Sequence, residues 1–273
     1  MLKKRVITAL GGLPFLIAAI WWAAPLPWFT VLVAIWGLGA GVEFYRISAV
    51  SKVPPLFYLG LIWALLFIIS PHFDYGFLVP LLLTSAVVLS LLTLVFLPEK
   101  EGAFTAWVWT IAGIVYVGWL LSFLVALRLD AGRNWVFFAL FTTFGSDTAA
   151  FFVGRAVGRY RLAPRISPRK TWEGAIAGVL GAVIISLLFT LPTPLGLPLS
   201  YGPAVLLGVL VSILGQLGDL VESLLKRNMG VKESGSLMPG HGGLLDRMDS
   251  VVFAGVVVYY FWLTCNVGWL NWL

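Results

Sequence analysis

Between Asp219 and Asp249 the chain reads DLVESLLKRNMGVKESGSLMPGHGGLLDRMD, a stretch that holds carboxylates, bases, glycines and one of the two histidines. Asp219, Glu222, Ser223 and Lys226 recur at the spacing of one helix face. The apolar run before them, AVLLGVLVSILGQLG, makes that helix the end of a membrane span, so Asp219 must point into protein or a wet cavity. Asp246 and Asp249 are again a helical turn apart and open the last apolar run, where a carboxylate also serves as a cap and dipole partner. Three aspartates converging from two segments suit a hard cation such as Mg²⁺, which takes one or two carboxylates and fills its shell with substrate phosphates. Structural pairing is the alternative. The link SGSLMPGHGG can present backbone amides as an anion nest, and Lys226, Arg227, Lys232 and Arg247 flank it. His241 reads as a phosphate donor or loop-fixing hydrogen bonder ahead of a base.

A second polar stretch, GSDTAAFFVGRAVGRYRLAPRISPRKTWEG, runs from Gly145 to Gly174. Asp147 stands in an apolar run and is expected to line a cavity, with a hydrogen-bonded structural role as the alternative. Arg155 and Arg159 are one turn apart. Ser167 and Pro168 have the form of a helix N-cap and first helical residue. That would put Arg169 and Lys170 in a first turn whose free amides already favour anions. The plainer reading is a basic loop against lipid headgroups.

The elements that must position these groups follow from composition. The 273 residues are 60% hydrophobic and 11% charged, whereas a soluble domain is roughly 25% charged. The fold class this predicts is an all-α polytopic membrane protein of about nine transmembrane helices. The spans fall near 5–24, 26–46, 55–71, 76–97, 103–127, 134–153, 173–192, 200–225 and 250–272, the first two with the option of a re-entrant hairpin. With the N-terminus cytoplasmic and the C-terminus outside, every Lys and Arg except Arg128 and Arg133 lies on the cytoplasmic side. Trp21 and Trp22 interrupt any signal-peptide cleavage site, so the first span is expected to be retained. The loops 154–173 and 226–248 then open on one membrane face. Residues 1–130 read as scaffold, lipid-facing wall or dimer contact, with Glu43 and Arg46 a structural pair at the end of the second span. Residues 131–273 read as the catalytic membrane region. Cys265 stands alone, which excludes a disulfide framework and a Cys-based metal site. The net charge of +6 reads as positive-inside bias and headgroup contact, with no soluble basic domain to bind nucleic acid.

Carboxylates, cations and amide donors at a membrane face make a site for phosphate chemistry. Walker A, G-x-S-x-G and H-E-x-x-H motifs are all absent. Phosphoryl and nucleotidyl transfer need mainly positioning and charge neutralisation. An attacking phosphate, with a second pKa of about 6, needs no general base at neutral pH.

Ser223-x-x-Lys226-Arg227, Lys232 and Pro239-x-His241-Gly242-Gly243-x-x-Asp246-Arg247-x-Asp249 resemble the signature of the phosphatidate cytidylyltransferase (CDP-diacylglycerol synthase) family. Asp147, Gly154-Arg155, Gly158-Arg159 and Ser167-Pro168-x-Lys170-Thr171-Trp172-Glu173-Gly174 resemble its second motif. The departures are Glu233 for the usual Asp, Met238 for a Leu, Ile or Phe, and Phe144 and Phe151 where Trp and Tyr are common.

The resemblance implies that CTP and phosphatidate give CDP-diacylglycerol and pyrophosphate, with Mg²⁺ and a second metal ion as an option. It also implies a homodimer whose site opens to the cytoplasm and to lipid, in the cytoplasmic membrane of a prokaryote. On that basis Asp219, Asp246 and Asp249 are metal-linked. Ser223, Lys226, Arg227 and the His241-Gly242-Gly243 turn hold phosphates, joined by Arg155, Arg159, Lys232 and Arg247. Lys170 and the Ser167 helix start contact CTP or pyrophosphate, and Asp147 shapes the cavity. The rival readings are a CTP-dependent polyprenol kinase, which releases CDP, and a transporter of an anionic solute or lipid, which predicts inverted repeats.

Overall fold

The computed structural model describes residue 12 and residues 14–22, 27–49, 54–97, 101–235 and 242–266. The apolar runs fold as helices, because lipid offers no partner to an unpaired backbone N–H or C=O. After a helical stretch over 14–21 come α1 (Trp28–Ser48), α2 (Phe57–Ile69), α3 (Tyr75–Phe96), α4 (Ala103–Ala131) and α5 (Arg133–Val157). An antiparallel hairpin of β1 (Arg161–Ala163) and β2 (Ser167–Thr171) follows, then α6 (Trp172–Leu188), α7 (Tyr201–Asn228) and α8 (Asp249–Asn266).

Helices α1, α3, α4, α5, α7 and α8 are long and apolar enough to cross a membrane, whereas α6 and the segment Phe57–His72 are apolar but shorter. Half of the first of the nine expected spans, 5–24, lies outside the described residues. On α6 the exposed side chains Ile176, Leu180, Ile184 and Leu188 recur every four residues and form an apolar stripe suited to lipid. The protein is thus a helical, polytopic membrane protein with one small hairpin added to the expected all-α plan.

The chain divides into two compact units, Met1–Leu129 with Asn228–Arg247, and Asp130–Arg227 with Met248–Leu273. In the first, α1 carries the buried Tyr45, whose hydroxyl donates to Thr110 O at 2.9 Å. Its ring fits only because residues 60 and 113 are glycine: a Cβ on either would lie within 2.5 Å of the ring or its hydroxyl. Helix α4 widens into π-helical turns at Ile114–Trp119 and Leu127–Ala131. The first of these runs against α2, where a Cβ at Gly118 would meet Ala64 Cα at 2.6 Å.

In the second unit α5 and α6 pack through small residues, which let backbones approach closely. A Cβ at Gly181 would meet Gly145 O at 3.0 Å, and one at Gly174 would meet Ala150 O at 2.8 Å.

The expected helix start at Ser167 is not observed. Residues 167–171 form β2, with Arg161 opposite Thr171 and Ala163 opposite Ser167. Trp172 N donates to Tyr160 O at 2.9 Å and closes the hairpin. The cap is Thr171, whose extended backbone lets Oγ1 accept from Gly174 N at 3.2 Å. Ser-Pro has the composition of a cap, but pairing with β1 satisfies this backbone first and delays the helix to the position where Gly174 meets α5. Arg169 and Lys170 therefore sit on a strand.

Because the atom facing Gly174 belongs to the backbone and cannot swing aside, Gly174→Val is expected to destabilise the protein by about 1–3 kcal/mol. A thermal melt in detergent should show this loss, while Gly202→Ala, with open space at its Cβ, should melt like the wild type.

Candidate active site

Helix α7 presents Asp219, Glu222, Ser223 and Lys226 on one face, as their spacing requires. Ser223 Oγ donates to Asp219 Oδ1 at 3.3 Å. Glu222, only 1% exposed, is ion-paired with Lys226 one turn later. Lys170 reaches over from β2 and places its Nζ 2.7 Å from Asp219 Oδ2 and 3.4 Å from Gln216 O.

A polar chain beneath these groups ties the helices together. Gln216 Nε2 donates to Ala175 O at 3.2 Å and to Ser212 Oγ at 2.9 Å. Ser212 Oγ lies 2.7 Å from Ser146 Oγ, the residue before Asp147. Helix α8 starts at Asp249, whose Oδ1 accepts from Ser250 N at 2.8 Å. Its first turn comes so close to α7 that a Cβ at Gly218 would meet Asp249 O at 2.6 Å.

Asp147, Asp219 and Asp249 lie near enough to act on one another electrostatically, with Lys170 acting on Asp147 and Lys226 on Asp249. Asp147 follows Ser146 on α5, on the part of the helix that meets this polar chain. Among the described residues no three His, Cys, Asp or Glu side chains form a ready-made metal cage. Three mutually repelling carboxylates offset by two nearby lysines nevertheless fit a divalent ion that takes one or two of them and completes its shell with phosphate oxygens.

The glycine-rich segment belongs to the first unit. Gly242 has a φ of 85°, in the left-handed region that glycine tolerates best. Asp246 lies in the short 3₁₀ turn Leu245–Arg247. Its Oδ2 accepts from Gly243 N at 2.9 Å and from Ser234 N at 3.2 Å. Two amides of the expected anion nest thus hold the chain's own aspartate.

The i, i+3 spacing of Glu43 and Arg46 predicts a structural pair at the end of α1. Glu43 is instead 2% exposed and turned to the loop, where Oε2 accepts from Ser234 Oγ and from Leu245 N, each at 3.0 Å. Helix periodicity carries no signal for partners 191 and 202 residues away.

Arg227 is exposed and its Nε donates to Ile166 O at 3.3 Å. Arg155, Arg159, Lys232, Glu233 and Arg247 are exposed, and Ser167 loses the cap role on which its candidacy rested. His241 lies outside the described residues.

The fold defines the class, a helical polytopic membrane protein carrying a lysine–carboxylate cluster suited to phosphate chemistry. Comparison with known proteins makes it particular: the chain belongs to the cytidylyltransferase family, whose model matches residues 3–265, and is a nucleotidyltransferase. It is 34% identical to the phosphatidate cytidylyltransferase of Bacillus subtilis, over 95% of this chain and 97% of that one. It is 35% identical to phosphatidate cytidylyltransferase 5, chloroplastic, of Arabidopsis thaliana, over 95% of this chain and 71% of the relative. With the phosphatidate cytidylyltransferase of Brucella suis the identity is 43%, and the match spans 56% of each chain.

The burial of Glu222 fixes the expected behaviour of its partner. Lys226→Met leaves a buried carboxylate without its cation and should cost about 3–5 kcal/mol. Adding Glu222→Gln should recover much of that loss, as read from melting of the single and double variants in detergent.

Proposed function

We propose that the chain transfers the cytidylyl group of CTP to phosphatidate, giving CDP-diacylglycerol and pyrophosphate. The observation that carries this reading is the cluster of Asp147, Asp219, Asp249 and Lys170. It stands in a chain whose family match runs almost from end to end. An oxygen of the lipid phosphate bonds to the α-phosphorus of CTP. The bond from that phosphorus to the β-phosphate oxygen breaks, and its electron pair leaves with pyrophosphate. The lipid phosphate is already ionised near neutral pH, its second pKa being about 6, so no side chain has to take a proton from it. His241 then serves as a donor to phosphate or a loop-fixing group.

Mg²⁺, when bound, supplies charge neutralisation for the triphosphate and the leaving pyrophosphate. Asp219, Asp246 and Asp249 are the carboxylates proposed to hold it. Lys170 is the proposed cation for the CTP phosphates, released from Asp219 as the nucleotide binds, with Arg155 and Arg159 on the same polar stretch. Ser223, Lys226, Arg227 and the turn of His241, Gly242 and Gly243 orient the phosphates. Lys232 and Arg247 add positive charge, and Asp147 limits the cavity. The basic-residue distribution supports loops 154–173 and 226–248 on the cytoplasmic side of a prokaryotic inner membrane. The family resemblance supports a homodimer.

Purified protein in detergent, given phosphatidate, CTP and Mg²⁺, should release pyrophosphate only when the lipid is present. Asp219→Asn and Asp246→Asn should each lower kcat by at least about 100-fold. Chelation should abolish the activity and Mg²⁺ restore it. Lipid-independent release, or CDP formed on a polyprenol in place of pyrophosphate, would refute the assignment. For orientation, a cysteine replacing Arg165 in a Cys265→Ser background should react with a membrane-impermeant maleimide in inverted vesicles and stay unlabelled in intact cells.

A further inference from the structure

Glu43 is the least expected group in the first unit. It lies near the end of α1, a helix apolar enough to span the membrane, and is almost wholly buried. A carboxylate in such surroundings persists only where donors meet it, and both donors to its Oε2 come from one distant segment, Ser234 Oγ and Leu245 N. The glycines of that segment are shaped around it: a Cβ at Gly235 would meet Glu43 Oε1 at 2.3 Å, and one at Gly243 would meet Glu43 Oε2 at 2.4 Å. Trp36, two helical turns earlier on α1, donates its Nε1 to Leu244 O at 3.1 Å. Helix α1 is therefore a template on which residues 234–235 and 243–245 are laid side by side.

Asp246 grips the same residues from within the segment, through Ser234 N and Gly243 N. Ser234 is the shared member, giving its hydroxyl to Glu43 and its amide to Asp246. We infer that Glu43 is a positioning residue for the reaction: through Ser234 and Leu245 it fixes the backbone that orients the Asp246 carboxylate. The inference rests on the proposed function for the chemistry, but the clamp stands on geometry alone. Removing such a supporting contact typically costs 10–100-fold in activity. Gln at position 43 keeps a carbonyl oxygen to accept both donors, whereas Ala accepts neither.

The test uses the full chain in detergent and reads pyrophosphate release together with amide hydrogen exchange over residues 228–247. Glu43→Ala and Ser234→Ala should each lower kcat by about 10–100-fold. The double variant should be no worse than the poorer single, because both break one contact. Glu43→Gln should stay within about threefold of the wild type, as conservative rescue of the same hydrogen bonds. Exchange over 228–247 should rise in Glu43→Ala and Ser234→Ala while α5 and α6 keep their protection. Activity of Glu43→Ala within threefold of wild type, losses that multiply in the double variant, or exchange that rises throughout the protein would each overturn the role. A wild type that releases no pyrophosphate would refute the proposed function, and the exchange measurement would still decide whether Glu43 holds the loop.

Discussion

A carboxylate surrounded by apolar side chains must be met by donors or cations, and the polar architecture of this protein is organised by that demand. Glu222 is answered by Lys226 on its own helix, Asp219 by Lys170 from the hairpin and Ser223 from the next turn, and Asp249 by the first amide after it in α8. Glu43 is answered by a loop from the far end of the chain. Two of these answers join separate elements, the hairpin to α7 through Lys170 and α1 to the distant segment through Glu43, so satisfying the carboxylates also fixes those elements against each other. The Gln216, Ser212 and Ser146 chain extends the same logic, its side chains joining α7 to α5 and Gln216 reaching a backbone carbonyl of α6.

The helices were largely legible, because lipid imposes one rule on every backbone and long apolar runs have one way to obey it. The face formed by Asp219, Glu222, Ser223 and Lys226 was legible for the same reason: helical spacing is local information. Residues 167–170 form a strand where a helix start is expected, because local composition does not register strand pairing. Ser167-Pro168 has the composition of a cap, but strand pairing and the seat of Gly174 on α5 move the cap to Thr171, and periodicity registers neither. Glu43 was misassigned for a different reason. Its neighbour Arg46 offered an obvious partner on the same helix, but Glu43 lies on the buried side and Arg46 on the exposed side. A charge pattern along a helix does not say which of its members faces inward.

The glycine-rich segment illustrates how composition can be right about a backbone and incomplete about its use. Glycines were expected because amides would need to approach an anion. The close approach is there at Gly243, but the anions it meets are carboxylates of the chain itself. At the two ends of the segment, Ser234–Gly235 and Gly242–Gly243, these contacts fix the backbone by the chain's own groups.

The separation of 202 residues between Glu43 and Leu245 also bears on how the chain is made. At synthesis rates of about 5–20 residues per second, roughly 10–40 s pass between the emergence of Glu43 and that of the segment that satisfies it. During that interval α1 enters the bilayer with a carboxylate whose native donors do not yet exist. Contact with the insertion machinery or a shallow initial position must tide it over. The first unit reaches its native state only after nearly the whole chain has been synthesised, so its folding is coupled to the end of translation and not to the order in which its helices appear.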